Sequence, residues 1–180
     1  MVANDNHCSQ ERAGSELLDE DSREPFIESL PFASQFAIWA ARSWVTALKL
    51  EQPFEAVSGD TFRRFDLLDA QQALNEVFMI VAHAAGRQID IRCMKCRYVS
   101  PDEMIFHQAL AAAQSGRAFD AYNELRQWLA PAAARIAFNA LARLGELLAR
   151  AKLMLVSYAQ QPHAALPDVT TMPMPSRILH

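Results

Sequence analysis

An all-α fold, a single-domain bundle of five to six helices with flexible polar termini, is what this sequence predicts, and three observations carry the prediction. Alanine and leucine dominate a composition that is 51% apolar and holds only five glycines, which favours helix over sheet. Apolar residues recur at helical spacing through most of residues 29–158, with little strand-like alternation. One helix start, at Ser100, carries every local signal that such a start can have. At 180 residues the chain has room for one domain with a real core and none for a second of ordinary size.

Residues 1–28 are rich in Ser, Asp, Glu and Asn and show no stripe long enough to bury, so they read as a disordered acidic tail or a loosely docked arm. Ser29, Leu30 and Pro31 then open a helix that the spacing extends from Phe32 to Leu50. Its polar residues Gln35, Arg42, Thr46 and Lys49 share a narrow sector, while Phe36, Ala37, Ala40, Ala41, Trp44, Ala47 and Leu48 cover most of the rest. A helix apolar over so much of its circumference must be nearly surrounded.

Pro53 interrupts the chain, and Phe54, Val57, Phe62 and Phe65 mark a shorter helical stretch weakened at Gly59. A third helix begins near Asp66 or Asp69 and carries Ala70, Leu74, Val77, Phe78 and Val81 to a stop at Gly86. Ile89, Asp90 and Ile91 alternate too briefly for a sheet and form an extended connector into a loop containing Cys93 and Cys96.

Ser100 is the N-cap of the fourth helix. Its hydroxyl is placed to accept from the Glu103 amide while the Glu103 carboxylate returns to the Ser100 amide, a complete capping box. Pro101 occupies the first helical position, where its missing N–H costs nothing, and Val99 and Met104 occupy the two staple positions. Asp102 and Glu103 set negative charge against the positive end of the helix dipole. This helix runs to Gln114 or Ser115, and Gly116 supplies the left-handed residue that ends it.

Ala118, Ala121, Tyr122, Leu125, Trp128 and Leu129 define a fifth helix across that turn. Pro131 opens the last one, extended to about Tyr158, with Arg135, Asn139, Arg143, Glu146 and Arg150 on a narrow polar face. Beyond it, residues 159–180 contain Pro162, Pro167, Pro173 and Pro175 and read as a flexible tail. Trp39, Trp44 and Trp128 read as core packing. The segment from Met104 to Pro131 is similar to one tetratricopeptide unit, but no second copy is present and an array needs about three.

Charge and cysteine use bound the function. The net charge of −4 is unevenly spread: residues 1–28 hold eight acids against Arg12 and Arg23, a balance of −6 that leaves the body at +2, so nucleic-acid binding is not expected. No apolar run reaches the roughly 18 residues of a membrane span, and the N-terminus lacks the order of a signal peptide. Three cysteines make no disulfide framework. A cytoplasmic protein with reduced thiols is the expectation.

Cys93-x-x-Cys96 is the one chemically pointed motif, and it has three readings. The thiolates can hold zinc if His83 and His107 complete a set of four ligands, they can cycle as a redox pair beside Arg92, Lys95 and Arg97, or they can simply pack in the connector. The lone motif favours the third. The carboxymuconolactone decarboxylase group also uses a CxxC, followed four residues later by a histidine, and here that position is Ser100.

Arg87, Arg92, Lys95 and Arg97, with the amides near Ser100, form a candidate patch for an anion or an acidic partner. Glu103 with His107, and Glu76 with His83, can be written as acid and base. No serine, second carboxylate or glycine-rich loop completes a catalytic set around either pair. The functional expectation is therefore a non-catalytic interaction or regulatory protein working through protein contacts, with a metal- or thiol-dependent protein as the alternative. A homodimer is also expected, because apolar coverage of the first and last helices is wide for a six-helix monomer to hide.

Overall fold

The computed structural model describes residues 24–156, and the expectations for residues 1–23 and 157–180 lie outside them. The described chain is all-helical. After a 3₁₀ turn, Ile27–Ser29, come α1 (Phe32–Lys49), α2 (Phe54–Arg64), α3 (Leu68–Ala84), α4 (Pro101–Gln114), α5 (Ala118–Arg126) and α6 (Pro131–Arg150).

Short connections fold these helices back on one another, except between α3 and α4, which are joined by the long connector 85–100. Gly116, at φ 73°, ends the α4–α5 hairpin in the left-handed region that glycine enters without strain. α6 packs against α3, α4 and α5, while α1 is enclosed by α2, α3 and α4. One continuous apolar core runs from Phe36 and Trp44 of α1 through Leu74 and Phe78 of α3 and Phe106 of α4 to Leu141 and Leu148 of α6. Trp44 stacks on Phe78 at 5.4 Å and its indole donates to Asn75 Oδ1 at 2.8 Å, so its polar edge is satisfied within the packing.

Three features depart from the sequence reading. The polar sector on α1 is only partly a solvent strip, because Arg42 within it is 1% exposed. Leu48, counted with the apolar face, is exposed instead.

The last helix stops at Arg150, not near Tyr158. Lys152 takes a left-handed φ of 64°, and an extended segment then docks on the end of α4. There the Gln114 side chain donates to Leu153 O at 2.8 Å and accepts from the Leu155 amide at 2.7 Å, and Leu155 is buried. A side-chain amide that satisfies two backbone groups off the helix competes well with one more helical turn. Gly145 eases the close approach of α6 to the end of α4, since a Cβ there would lie 3.2 Å from the Gln114 backbone nitrogen.

The described chain begins docked before residue 29. Phe26 and Tyr98 form an antiparallel bridge, with Ile27 N donating to Arg97 O at 2.8 Å and Val99 N to Pro25 O at 3.0 Å. Leu30, Ile38 and Val99 make a small second core with Met104 against it, so the staple residues Val99 and Met104 do meet.

Candidate functional site

The centre of the molecule's polar chemistry is the junction of α1, the irregular segment 85–99 and the start of α4. It is built on the capping box: Ser100 Oγ accepts from the Glu103 amide at 3.1 Å and the Ser100 amide donates to Glu103 Oε2 at 2.9 Å. Glu103 is completely buried, so its remaining lone pairs need donors from inside the protein.

Arg42 supplies them. Its Nε donates to Glu103 Oε1 at 2.7 Å and its Nη2 to Oε2 at 2.9 Å, a forked charge-assisted pair. The rest of the fork reaches the loop, Nη1 to Cys96 O and Nη2 to Tyr98 O at 2.8 Å. The Arg92 amide adds a fourth donor to Glu103 at 3.0 Å. One guanidinium thus joins a helix interior, a helix N-terminus and a loop that has no ladder of its own.

Asp102, one position earlier, does the same for the other side of the connector. It receives a bidentate hydrogen bond from Arg87, the Asp90 amide at 2.7 Å and the Trp128 indole at 3.0 Å. Burial alone would raise its pKa, but Arg87, the Asp90 amide and the Trp128 indole outweigh it and hold the carboxyl below its ordinary value. Asp102 in turn raises the pKa of Arg87. His107, a turn further along α4, is buried and shares a 2.7 Å hydrogen bond with Ser34 of α1; desolvation lowers its pKa to about 4, so it is neutral near pH 7.

The expected zinc ligands are not brought together as a set. Cys93 and Cys96 share one turn, with the Cys96 amide donating to Cys93 O at 3.1 Å, and both are half-buried thiols. His83 is exposed on α3 with its ring bonded to Met79 O, whereas His107 lies against Ser34. Among the described residues no three His, Cys, Asp or Glu side chains converge as a metal site.

The expected anion patch is engaged with internal partners. Arg87 is held by Asp102, Arg92 by Glu24 at 2.5 Å and Arg97 by Glu28 at 3.3 Å. Ser100 is buried inside the cap, where its amide serves Glu103 and its hydroxyl donates to Asp90 O. Lys95 is exposed at the loop tip. Glu103 is likewise committed to Arg42 and to the cap, which removes it as the acid of a Glu103–His107 pair.

Two features escaped the sequence reading. Arg42 reads as one more polar residue on a helix face; the available signal was that so apolar a helix leaves little solvent-facing surface for a guanidinium. The other is an apolar pocket of about 360 Å³ between the C-terminal halves of α1 and α3 and the connector, lined by Trp44, Leu48, Phe78, Val81, Ile89 and Ile91 with Arg87 and Gln88 also contributing. Its connector wall is pinned on both sides of Ile91, by the Asp90 amide on Asp102 and the Arg92 amide on Glu103.

No protein-family model, curated protein or solved structure matches this chain. Among the described residues no helix is long and apolar enough to cross a membrane.

Proposed function

We propose that this chain is a non-catalytic helical interaction protein of the cytoplasm that receives an apolar side chain of a protein partner in the pocket between α1, α3 and the connector. The observation that carries the reading is the pinned connector wall. Buried carboxylates hold the amides of Asp90 and Arg92, so Ile89 and Ile91 are presented in a fixed position and little ordering is left for binding to accomplish. The lining is predominantly apolar, and Arg87 beside it is neutralised by Asp102, which suits a hydrophobic anchor better than a charged one.

Selection of displayed random peptides on the purified protein tests this. Enriched peptides should share a large apolar residue. Filling the pocket with Ala82→Trp should weaken their binding by roughly tenfold or more, whereas Ile136→Asp on α6 should leave it unchanged. No enrichment, or binding indifferent to Ala82→Trp, contradicts the reading. A homodimer, the other partner expected from the sequence, would cover Met79, Ile80 and Ile136 along α3 and α6. Light scattering that shows a monomer at high concentration would count against it.

A second reading rests on the pairing of Cys93 and Cys96 in one turn, with Arg92 Nη1 3.9 Å from Cys96 Sγ. Two such thiols can give two electrons and two protons to hydrogen peroxide, breaking its O–O bond and forming one S–S bond and two waters. A reversible loss of two thiols under dilute hydrogen peroxide, abolished by Cys96→Ser with folding intact, would support it. An unchanged thiol count would end it.

A further inference from the structure

The connector is extended at residues 89–92 and again at 97–99, and at each place buried side chains pin one edge of it. In an extended chain the N–H and C=O of one residue point to one edge and those of the next residue to the other. At residues 97–99 the inner edge is Tyr98 O, which accepts from Arg42 Nη2 at 2.8 Å. The outer edge there is filled by the chain itself: Arg97 O accepts from the Ile27 amide at 2.8 Å, and the Val99 amide donates to Pro25 O at 3.0 Å.

Residues 89–92 repeat the arrangement without a strand on the outer edge. Asp90 and Arg92 turn inward, since the Asp90 amide donates to Asp102 at 2.7 Å, Asp90 O accepts from Ser100 Oγ and the Arg92 amide donates to Glu103 at 3.0 Å. Their side chains share one face, with Arg92 Nε 3.7 Å from Asp90 Oδ2, while Ile89 and Ile91 line the apolar pocket on the other. The N–H and C=O of Ile89 and Ile91 are left to the outer edge, and among the described residues none of these groups has a hydrogen-bond partner. Ile91 is only 3% exposed, and a main-chain group withdrawn from water without a partner is costly and rare.

We infer, on the reading that the pocket takes an apolar side chain of a protein partner, that the partner binds as an extended strand along this edge. It exchanges main-chain hydrogen bonds with Ile89 and Ile91, and the side chains beside those two residues enter the pocket. A helix satisfies its own N–H and C=O groups and would leave those of Ile89 and Ile91 unanswered. Residues 25–27 show the strand mode on the same connector, a few residues along. Pairing also sets the partner's pattern: apolar residues at i and i+2 face the pocket, whereas a docked helix would place them at i and i+3 or i+4.

The full-length protein and the tightest peptide enriched by display on it test this, through an N-methyl scan of the peptide and residue-level amide exchange of the protein. N-methylation at either pairing position should weaken binding roughly tenfold or more, and methylation of the residue between them should change it by less than about twofold. In the free protein the amides of Ile89 and Ile91 should exchange faster than those of Asp90 and Arg92, and the peptide should slow both severalfold. A peptide that binds, is lost in Ala82→Trp and yet tolerates N-methylation throughout, or loses affinity at consecutive positions alike, overturns the strand and leaves the pocket reading standing. Amides of Ile89 and Ile91 as protected in the free protein as those of Asp90 and Arg92 overturn it too, because the edge is then already filled. Failure to enrich any peptide overturns the strand and the pocket reading together.

Discussion

Helices α3 and α6 pack on one another, and Ala70, Ala73, Leu74, Val77 and Val81 of the first and Ala134, Ala137, Leu141, Leu144 and Leu148 of the second are all buried in a single apolar core. At the junction of α1, the connector and α4 the joining groups are instead Arg42, Glu103, Asp102 and Ser100, equally buried and hydrogen-bonded. The first contact is non-directional and tolerates changes that conserve volume. The second is directional, and removing one partner leaves a buried charge unanswered. The difference follows from what is joined. Two helices satisfy their own backbones, whereas segment 85–99 has few amides in regular structure and borrows carboxylates from the first turn of α4.

The sharpest way to break this contrast is Arg42→Met, which leaves Glu103 buried without its cation and should cost about 3–5 kcal/mol in denaturant unfolding. Arg42→Met/Glu103→Gln should recover part of that loss, because the glutamine is uncharged and its one oxygen still accepts from one of the two amides, Arg92 or Ser100, that serve the carboxylate. A double variant no more stable than Arg42→Met would show that charge is not what matters there.

Acid is the next largest perturbation. His107 titrates near 4 in the fold against about 6.5 unfolded, so the unfolded chain binds the extra proton first and stability falls as pH drops from about 6.5 to 4. The full effect is on the order of 3 kcal/mol. Asp102, with its pKa below the ordinary value, adds a further loss at still lower pH. Denaturation midpoints measured across this range should show the slope in the wild type and a shallower one in His107→Gln.

Trp128→Phe keeps an aromatic ring of smaller size but removes the N–H that serves the Asp102 carboxylate, and should cost about 2 kcal/mol. Ser100→Ala should cost about 1 kcal/mol through the lost cap. Thermal melts of the two variants give the order, and a Ser100→Ala effect larger than that of Trp128→Phe would mean that the cap outweighs the Asp102 network.

The two regions also differ in how far the sequence reveals them. Helix positions follow from the 3.6-residue spacing, and the Ser100 cap follows from four adjacent residues, so both were legible. Arg42 was not, because its partner lies 61 positions away and the one local hint, a helix too apolar to leave it much solvent-facing surface, does not name that partner. The basic cluster was legible as composition, yet the carboxylates that pair with it are Glu24, Glu28 and Asp102, and only the fold brings them there. The end of α6 was misplaced for the same reason, since Gln114 captures Leu153 and Leu155 from another helix.

The claim that buried charge, and not the apolar core, holds segment 85–99 in place is tested most directly by amide hydrogen exchange on Arg42→Met beside Leu144→Ala. The latter is a core truncation expected to cost a comparable 2–5 kcal/mol. In Arg42→Met the amides of Asp90, Arg92, Val99 and Ser100 should lose protection first and most, while those within α3 and α6 keep theirs relative to global unfolding. Leu144→Ala should lower protection in α3 and α6 without singling out that segment. Indistinguishable patterns in the two variants would contradict the account.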